Sequence, residues 1–139
     1  MSYKIISKFI KDISFEIPDA KAFVMLEKEI SNYNLNFDIK SKPFKESIIE
    51  VNTILRMTPN QEVKNKILAE INLTALVSIE KNFEDKKELE KIILVEIPKK
   101  VYPSLYETFV YLFSQAGVKD INIEKTVDFE KMYNERKKS

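Results

Sequence analysis

Through the first 80 residues apolar side chains recur at every second position, and after that the period lengthens. In FIKDISFEIPDA, residues 9–20, Phe9, Ile13, Phe15 and Ile17 hold odd positions, while Asp12, Ser14 and Glu16 fall on the opposite face. That alternation is the mark of a half-buried strand, expected over about residues 4–17 and closed by the turn signal Pro18-Asp19. Residues 20–30, AKAFVMLEKEI, read either as a helix or as a loop packed through Phe23, Val24, Met25 and Leu26. A second strand is expected at 33–40, where Tyr33, Leu35, Phe37 and Ile39 alternate with Asn34, Asn36, Asp38 and Lys40. A break at SKPFKE precedes a third strand at about 47–57. The turn TPNQEVKN leads into a fourth at 66–80, whose odd positions from Ile67 to Ile79 are all apolar. Short connections between successive strands predict an antiparallel meander.

From residue 84 the spacing becomes helical. EDKKELEKIILVEI carries a stripe of Leu89, Ile92, Ile93 and Ile97 behind a charged start, and Pro98 is expected to end that helix. Pro103 suits the first turn of another helix and Gly117 its C-terminal cap. Between them Leu105, Tyr106, Phe109, Val110, Leu112, Phe113 and Ala116 form an arc wider than one sheet needs. The surplus points to a subunit interface through Phe109, Leu112 and Phe113. Residues 121–127 read as extended, and Asp128 is placed to cap a last helix, FEKMYNERKK. The string predicts an α+β fold, a four-stranded antiparallel sheet with two to three C-terminal helices packed on one face. All of it belongs to a single domain, 1–139, with strands over 1–81 and a helical region over 84–137.

Composition removes most chemistry. The chain has 139 residues, 23 basic against 22 acidic, no cysteine, no histidine and one glycine, Gly117. Disulfides, thiolate or imidazole metal sites and His-based triads are excluded, and a phosphate-cradling glycine loop cannot be built. No carboxylate pair stands in an apolar context that would tune its pKa, so no enzyme and no cofactor are expected. Lysines interleaved with acids argue against a nucleic-acid partner. The opening MSYKIISKF is too polar for a signal peptide, and no apolar run reaches spanning length. A cytoplasmic protein without direct membrane insertion is expected.

Four segments, in order, resemble the SecB family of protein-export chaperones. KDISFEIPDA resembles its opening strand and ILAEINLTALVSIE its last long strand. IPKKVYPSLYETF is similar to the proline-punctuated entry into its main helix, and GVKDINIEKTVDFEKMY to its closing segment. Residues 20–60 match only in pattern. The resemblance implies a homotetramer, a dimer of dimers, that holds unfolded preproteins without ATP and delivers them to the SecA translocase motor. It places SecA contact on the outer sheet face, at Asp12, Glu16, Leu68 and Glu70. The strand pattern also turns Asp12, Glu16 and Glu70 away from the core, with Leu68 apolar on a mostly polar face. An acidic patch with one apolar anchor suits a basic partner.

Unfolded clients need apolar grooves between sheet and helices. By the same resemblance these are assigned to Tyr33, Leu35 and Phe37, with Val101, Tyr102, Leu105 and Tyr106 at the helix entry, and to Phe23 and Met25 beside them. Apolar residues at such spacing are more often core, and about half are expected to be buried. The near-neutral charge, the short basic end NERKKS and the glycine-free INLTAL depart from the usual pattern of the family. They keep open a SecB-like chaperone dedicated to the antitoxin of a toxin–antitoxin system. A small-molecule binder or structural oligomer is the alternative of another class.

Overall fold

The computed structural model describes residues 3–29, 33–59, 66–80, 85–119, 121 and 123–138. Strand β1 (Tyr3–Glu16) is followed by helix α1 (Ala20–Glu29) and strands β2 (Tyr33–Lys45), β3 (Ile48–Pro59) and β4 (Leu68–Ile79). Helix α2 (Lys86–Lys91), a π-helical segment (Ile92–Glu96), α3 (Ile97–Gln115) and α4 (Phe129–Lys138) complete it. Residues 60–65, most of the expected turn before β4, lie outside the described residues. So does residue 122 of the stretch expected to be extended, while 121 and 123–127 belong to no strand or helix.

The sheet is antiparallel with order β1-β4-β3-β2, which corrects the simple meander. Only β2, β3 and β4 follow one another. The connection after β1 carries the ten-residue α1, long enough to cross to the far edge instead of turning back on β1. Asp19 starts α1, its Oδ1 accepting from Ala22 N–H at 2.8 Å. The break expected at SKPFKE is also corrected. β2 runs on through Pro43 to Lys45, because an edge strand can present a proline outward without losing a ladder bond.

β1 alternates less simply than its sequence. Its register against β4 slips between Ile5 and Ser7 and again between Ile10 and Asp12. Each slip reverses the faces. Ile13 and Phe15, opposite Ile71 and Ala69, share the helix-covered face, whereas Phe9, opposite Thr74, belongs to the outer one. The four odd-position residues therefore do not share a face.

The core forms where Val51, Leu55, Ile71, Leu73 and Val77 meet Val95, Ile97, Val101, Leu105, Phe109 and Phe113, all buried. Asp85 caps α2, accepting from Lys87 N–H at 3.0 Å and Glu88 N–H at 3.2 Å. Pro98 does not stop the helix, contrary to expectation. The preceding turn is π-helical, and its wider coil relieves the clash of a proline ring with the carbonyl four residues back. Pro103 consequently lies inside α3 instead of opening a new helix. Gly117, at φ 97°, closes α3 as expected: Val118 N–H reaches Phe113 O at 2.9 Å. A Cβ there would meet the ring of Phe23 at 3.4 Å.

The interface assignment of Phe109 and Phe113 is corrected by their burial, 1% and 0% exposed within this one chain. Phe113 stands edge-on to Phe15 at 5.0 Å and 5.1 Å from Phe109. Part of the wide arc is used in covering β1, through Phe15, as well as β3 and β4, while Tyr106 and Val110 stay partly exposed. Leu112 remains partly buried.

Candidate partner and client surfaces

β1 and β4 are hydrogen-bonded neighbours, so the four residues assigned to the outer face come together. Glu16 stands opposite Leu68, Ser14 opposite Glu70 and Asp12 opposite Asn72. The second β1 slip lies just before Asp12, which puts Asp12, Ser14 and Glu16 in phase. Asp12 and Glu16 are exposed, and Leu68 keeps 44% of its surface in water. Ser14 Oγ donates to Asp12 Oδ2 at 3.3 Å.

Sequence reading missed the cation inside this group. Arg56 stands opposite Glu70 on β3; its Nε donates to Glu70 Oε1 at 2.5 Å, and its Nη2 pairs with the same oxygen. Glu70 is thus largely neutralised, and the net acidity rests on Asp12 and Glu16. Further along the face, Glu50 sits between Lys11 (3.9 Å) and Lys42 (3.3 Å). Thr74 Oγ1 donates to Asn52 Oδ1 at 2.7 Å, with both residues buried. Only cross-strand register reveals these pairs.

The proposed client residues separate into two sets. Tyr33, Leu35 and Phe37 lie partly buried along β2, and Tyr106 is partly buried on α3. Val101, Tyr102 and Leu105, at 1%, 3% and 0% exposure, are core instead of groove lining, because α3 turns them onto the sheet. Phe37, Tyr102 and Phe129 form an edge-to-face cluster with centroids 5.1–6.0 Å apart. The Tyr102 hydroxyl donates to the Glu124 carbonyl. Burial raises its pKa to about 12, with Tyr106 and Glu124 adding to the shift. Phe23 and Met25, both partly buried, ride on α1 and not on a loop.

A groove the sequence did not single out runs beside this cluster. A cavity of about 490 Å³ lies between Ile39 and Ser41 of β2, Leu89, Ile93 and Leu94, and Tyr133 of α4. A second, of about 290 Å³, shares Ile39, Leu94 and Tyr133 and extends to Phe37 and Met132. The Leu89–Ile93 helical spacing was legible in the sequence. Its position over the free edge of β2 was not.

A sheet covered on one face by a long helix, with an open polar face and a peripheral groove whose apolar lining is rimmed by Lys86, Glu90 and Arg136, is the architecture of a SecB-like chaperone. The SecB-like chaperone of Mycobacterium tuberculosis, solved in complex with a peptide from an antitoxin, superposes with a TM-score of 0.68. The match is at 15% identity and spans 90% of this chain and 88% of that one. The family model described as preprotein translocase subunit SecB matches residues 1–139, and the chain belongs to the SecB family. A Pelagibacter ubique protein provisionally named protein-export protein SecB is 45% identical over 135 residues, covering 97% of this chain and 96% of that protein. The protein-export protein SecB of Rhodospirillum rubrum is 27% identical over 130 residues, covering 93% and 78%. Membership makes this chain a chaperone of protein export.

Proposed function

We propose that the chain is an ATP-independent holdase of the cytoplasm that keeps preproteins unfolded and delivers them to SecA. The observation that carries the SecA contact is the register that sets Glu16 against Leu68 and Ser14 against Glu70 on neighbouring strands. Clients occupy the groove between β2, the π-helical segment and α4, where partly buried Phe37, Ile39, Ile93 and Leu94 leave apolar surface accessible. Tyr33, Leu35 and Tyr106 extend that surface. The working form is a homotetramer, a dimer of dimers. With Phe109 and Phe113 consumed inside the chain, the free edge of β1 is the better subunit contact. It exposes Ile6 (50%), Phe9 (46%), Ile10 (40%) and Ile13 (42%) beside a row of unpaired backbone groups.

Light scattering coupled to size exclusion tests the holdase reading, first alone and then with a permanently unfolded polypeptide. A tetramer that comigrates with the unfolded chain but not with its folded form supports it. A tetramer indifferent to unfolded chains refutes it. The antitoxin peptide held by the Mycobacterium tuberculosis relative favours a second reading, a chaperone reserved for one antitoxin. Generic unfolded polypeptide would then fail to compete for the groove.

A further inference from the structure

The end of the outer sheet face remote from Asp12 and Glu16 carries a feature that neither surface above uses. β2 and β3 meet there in a turn at Glu46 and Ser47, with Ser47 at φ 64° and its carbonyl accepting from Ile79 N–H at 2.8 Å. The turn is thereby tied to the last residue of β4. Just before it the register slips between Pro43 and Lys45, and the unpaired residue of that bulge is Phe44, 51% exposed. Bulges re-aim side chains. This one leaves a large aromatic ring in water at a fixed hairpin end.

Lysines surround it. Lys40, Lys42 and Lys45 stand opposite Asn52, Glu50 and Ile48, all on the outer face. Lys4 joins them from the other edge through Ser78, which pairs with both Lys4 and Ile48. Lys45 Nζ lies 5.4 Å from the Phe44 ring centroid. Lys40 and Lys42 lean on Asp38 (3.6 Å) and Glu50 (3.3 Å), yet their side chains stay 68% and 64% exposed. Such pairs exchange readily for other anions. Within KSKPFKES three lysines face one glutamate. At the same end, but on the helix-covered side of the sheet, Lys100 Nζ lies 4.6 Å from the ring centroid of Tyr3, so that pair is not part of the outer-face tip.

We propose that this hairpin end is a peripheral contact for anionic lipid headgroups. An exposed aromatic ring fringed by long cationic side chains suits the membrane interface, where the ring lodges at headgroup level and the lysines meet lipid phosphates. A hairpin end, unlike a groove, presents nothing for a peptide to lie in. The acidic end of the same face orients the molecule. Leu68 and Ser78 are separated along β4 by about 34 Å of strand, several Debye lengths at physiological salt. An anionic surface therefore attracts the lysine end and leaves Asp12 and Glu16 turned away from it. No helix among the described residues is long and apolar enough to cross a membrane, so the contact is peripheral.

Flotation of the full chain with phosphatidylcholine vesicles, with and without phosphatidylglycerol, tests the proposal. Binding is expected only to the anionic vesicles, to weaken with salt, and to fall about fivefold for Lys45→Gln at low salt. Phe44→Ser should lower it several-fold with an unchanged melting temperature, and Glu16→Gln should leave it intact. Failure to float with anionic vesicles at low salt overturns the proposal. Flotation that neither tip variant changes overturns it equally. If vesicles do not bind but Phe44→Ser weakens a complex with SecA, the tip is a protein contact and the lipid proposal falls. None of these outcomes depends on the holdase reading.

Discussion

Replacing Leu68 with arginine tests the outer-face contact where affinity and stability can be separated. Leu68 is 44% exposed, so a partner that docks there can still bury nearly half of it. Full burial of a leucine is worth ~1.5–3 kcal/mol, and the remaining 44% is therefore worth about 1 kcal/mol. Leu68→Ala should accordingly weaken SecA binding about fivefold, with little dependence on salt. Leu68→Arg removes the same anchor and also sets a guanidinium directly opposite Glu16. Neutralising one of the two uncompensated acids costs about another 1 kcal/mol at low salt, for a total near thirtyfold. Titration calorimetry with SecA at low and high salt separates the two parts, because only the second is screened. The half of Leu68 already packed is worth about 1 kcal/mol to the fold, which corresponds to a melting shift of about 4 °C in a domain this size. SecA affinity for Leu68→Arg within twofold of the parent would refute the contact. A collapse of stability would show that Leu68 is core and not anchor.

Three other perturbations follow from burial and edge exposure. Phe113→Ala should lose about 3–5 kcal/mol in urea denaturation, because the ring is fully buried against Phe15 and Phe109. Loss of subunit mass with unchanged denaturation would instead restore Phe113 to an interface. Ile10→Lys places a charge among the exposed apolar residues of the β1 edge and should lower the mass seen by light scattering while the far-ultraviolet spectrum is kept. An unchanged mass would remove β1 as the contact. The raised Tyr102 pKa, about 12 against 10.0 for a free phenol, means the folded chain holds this proton longer than the unfolded one. Stability from this group is full below pH 10 and declines as pH rises toward 12. Melting temperatures across that window should fall less steeply for Tyr102→Phe, and equal slopes would contradict the assignment.

What the sequence revealed followed strict periodicity, and what it hid depended on contacts across the chain. The unbroken apolar positions Ile67 to Ile79 stated β4 almost to its ends, whereas the alternation Tyr33 to Lys40 gave the start of β2 but missed its last five residues, through Pro43 to Lys45. Nothing local could say that β1 pairs with β4, since strand order is set by packing and by the length of the connection. The slips in β1 are single-residue events; each moved side chains to the other face without altering the composition of the stretch, and Phe9 was misplaced as a result. Pro98 obeyed the rule that proline disfavours an α-helical interior, but a π-turn met the demand without ending the helix. The shared outer face of Asp12, Glu16, Leu68 and Glu70 was readable because alternation is regular on both strands at that end. Arg56 was not, because its partner lies 14 residues away and is found only through register.

Where clients can bind is constrained by the energetics of the inner face. Val101, Leu105, Phe109 and Phe113 are 0–1% exposed, so a chain admitted between α3 and the sheet would have to displace them. Each such side chain contributes ~2–5 kcal/mol. Separating four of them would cost as much as the ~5–15 kcal/mol that holds a whole domain folded. An unfolded segment offers no compensating gain of that size at one site, because it must also give up its own conformational freedom. On the proposed holdase reading, clients would therefore be confined to the periphery, where Ile39, Ile93 and Leu94 beside the free edge of β2 present surface that need not be uncovered first. The same reasoning keeps the two surfaces independent. The groove lies on the helix side of β2 and the acidic patch on the opposite face of β1 and β4, so the two proposed contacts would not compete for the same surface.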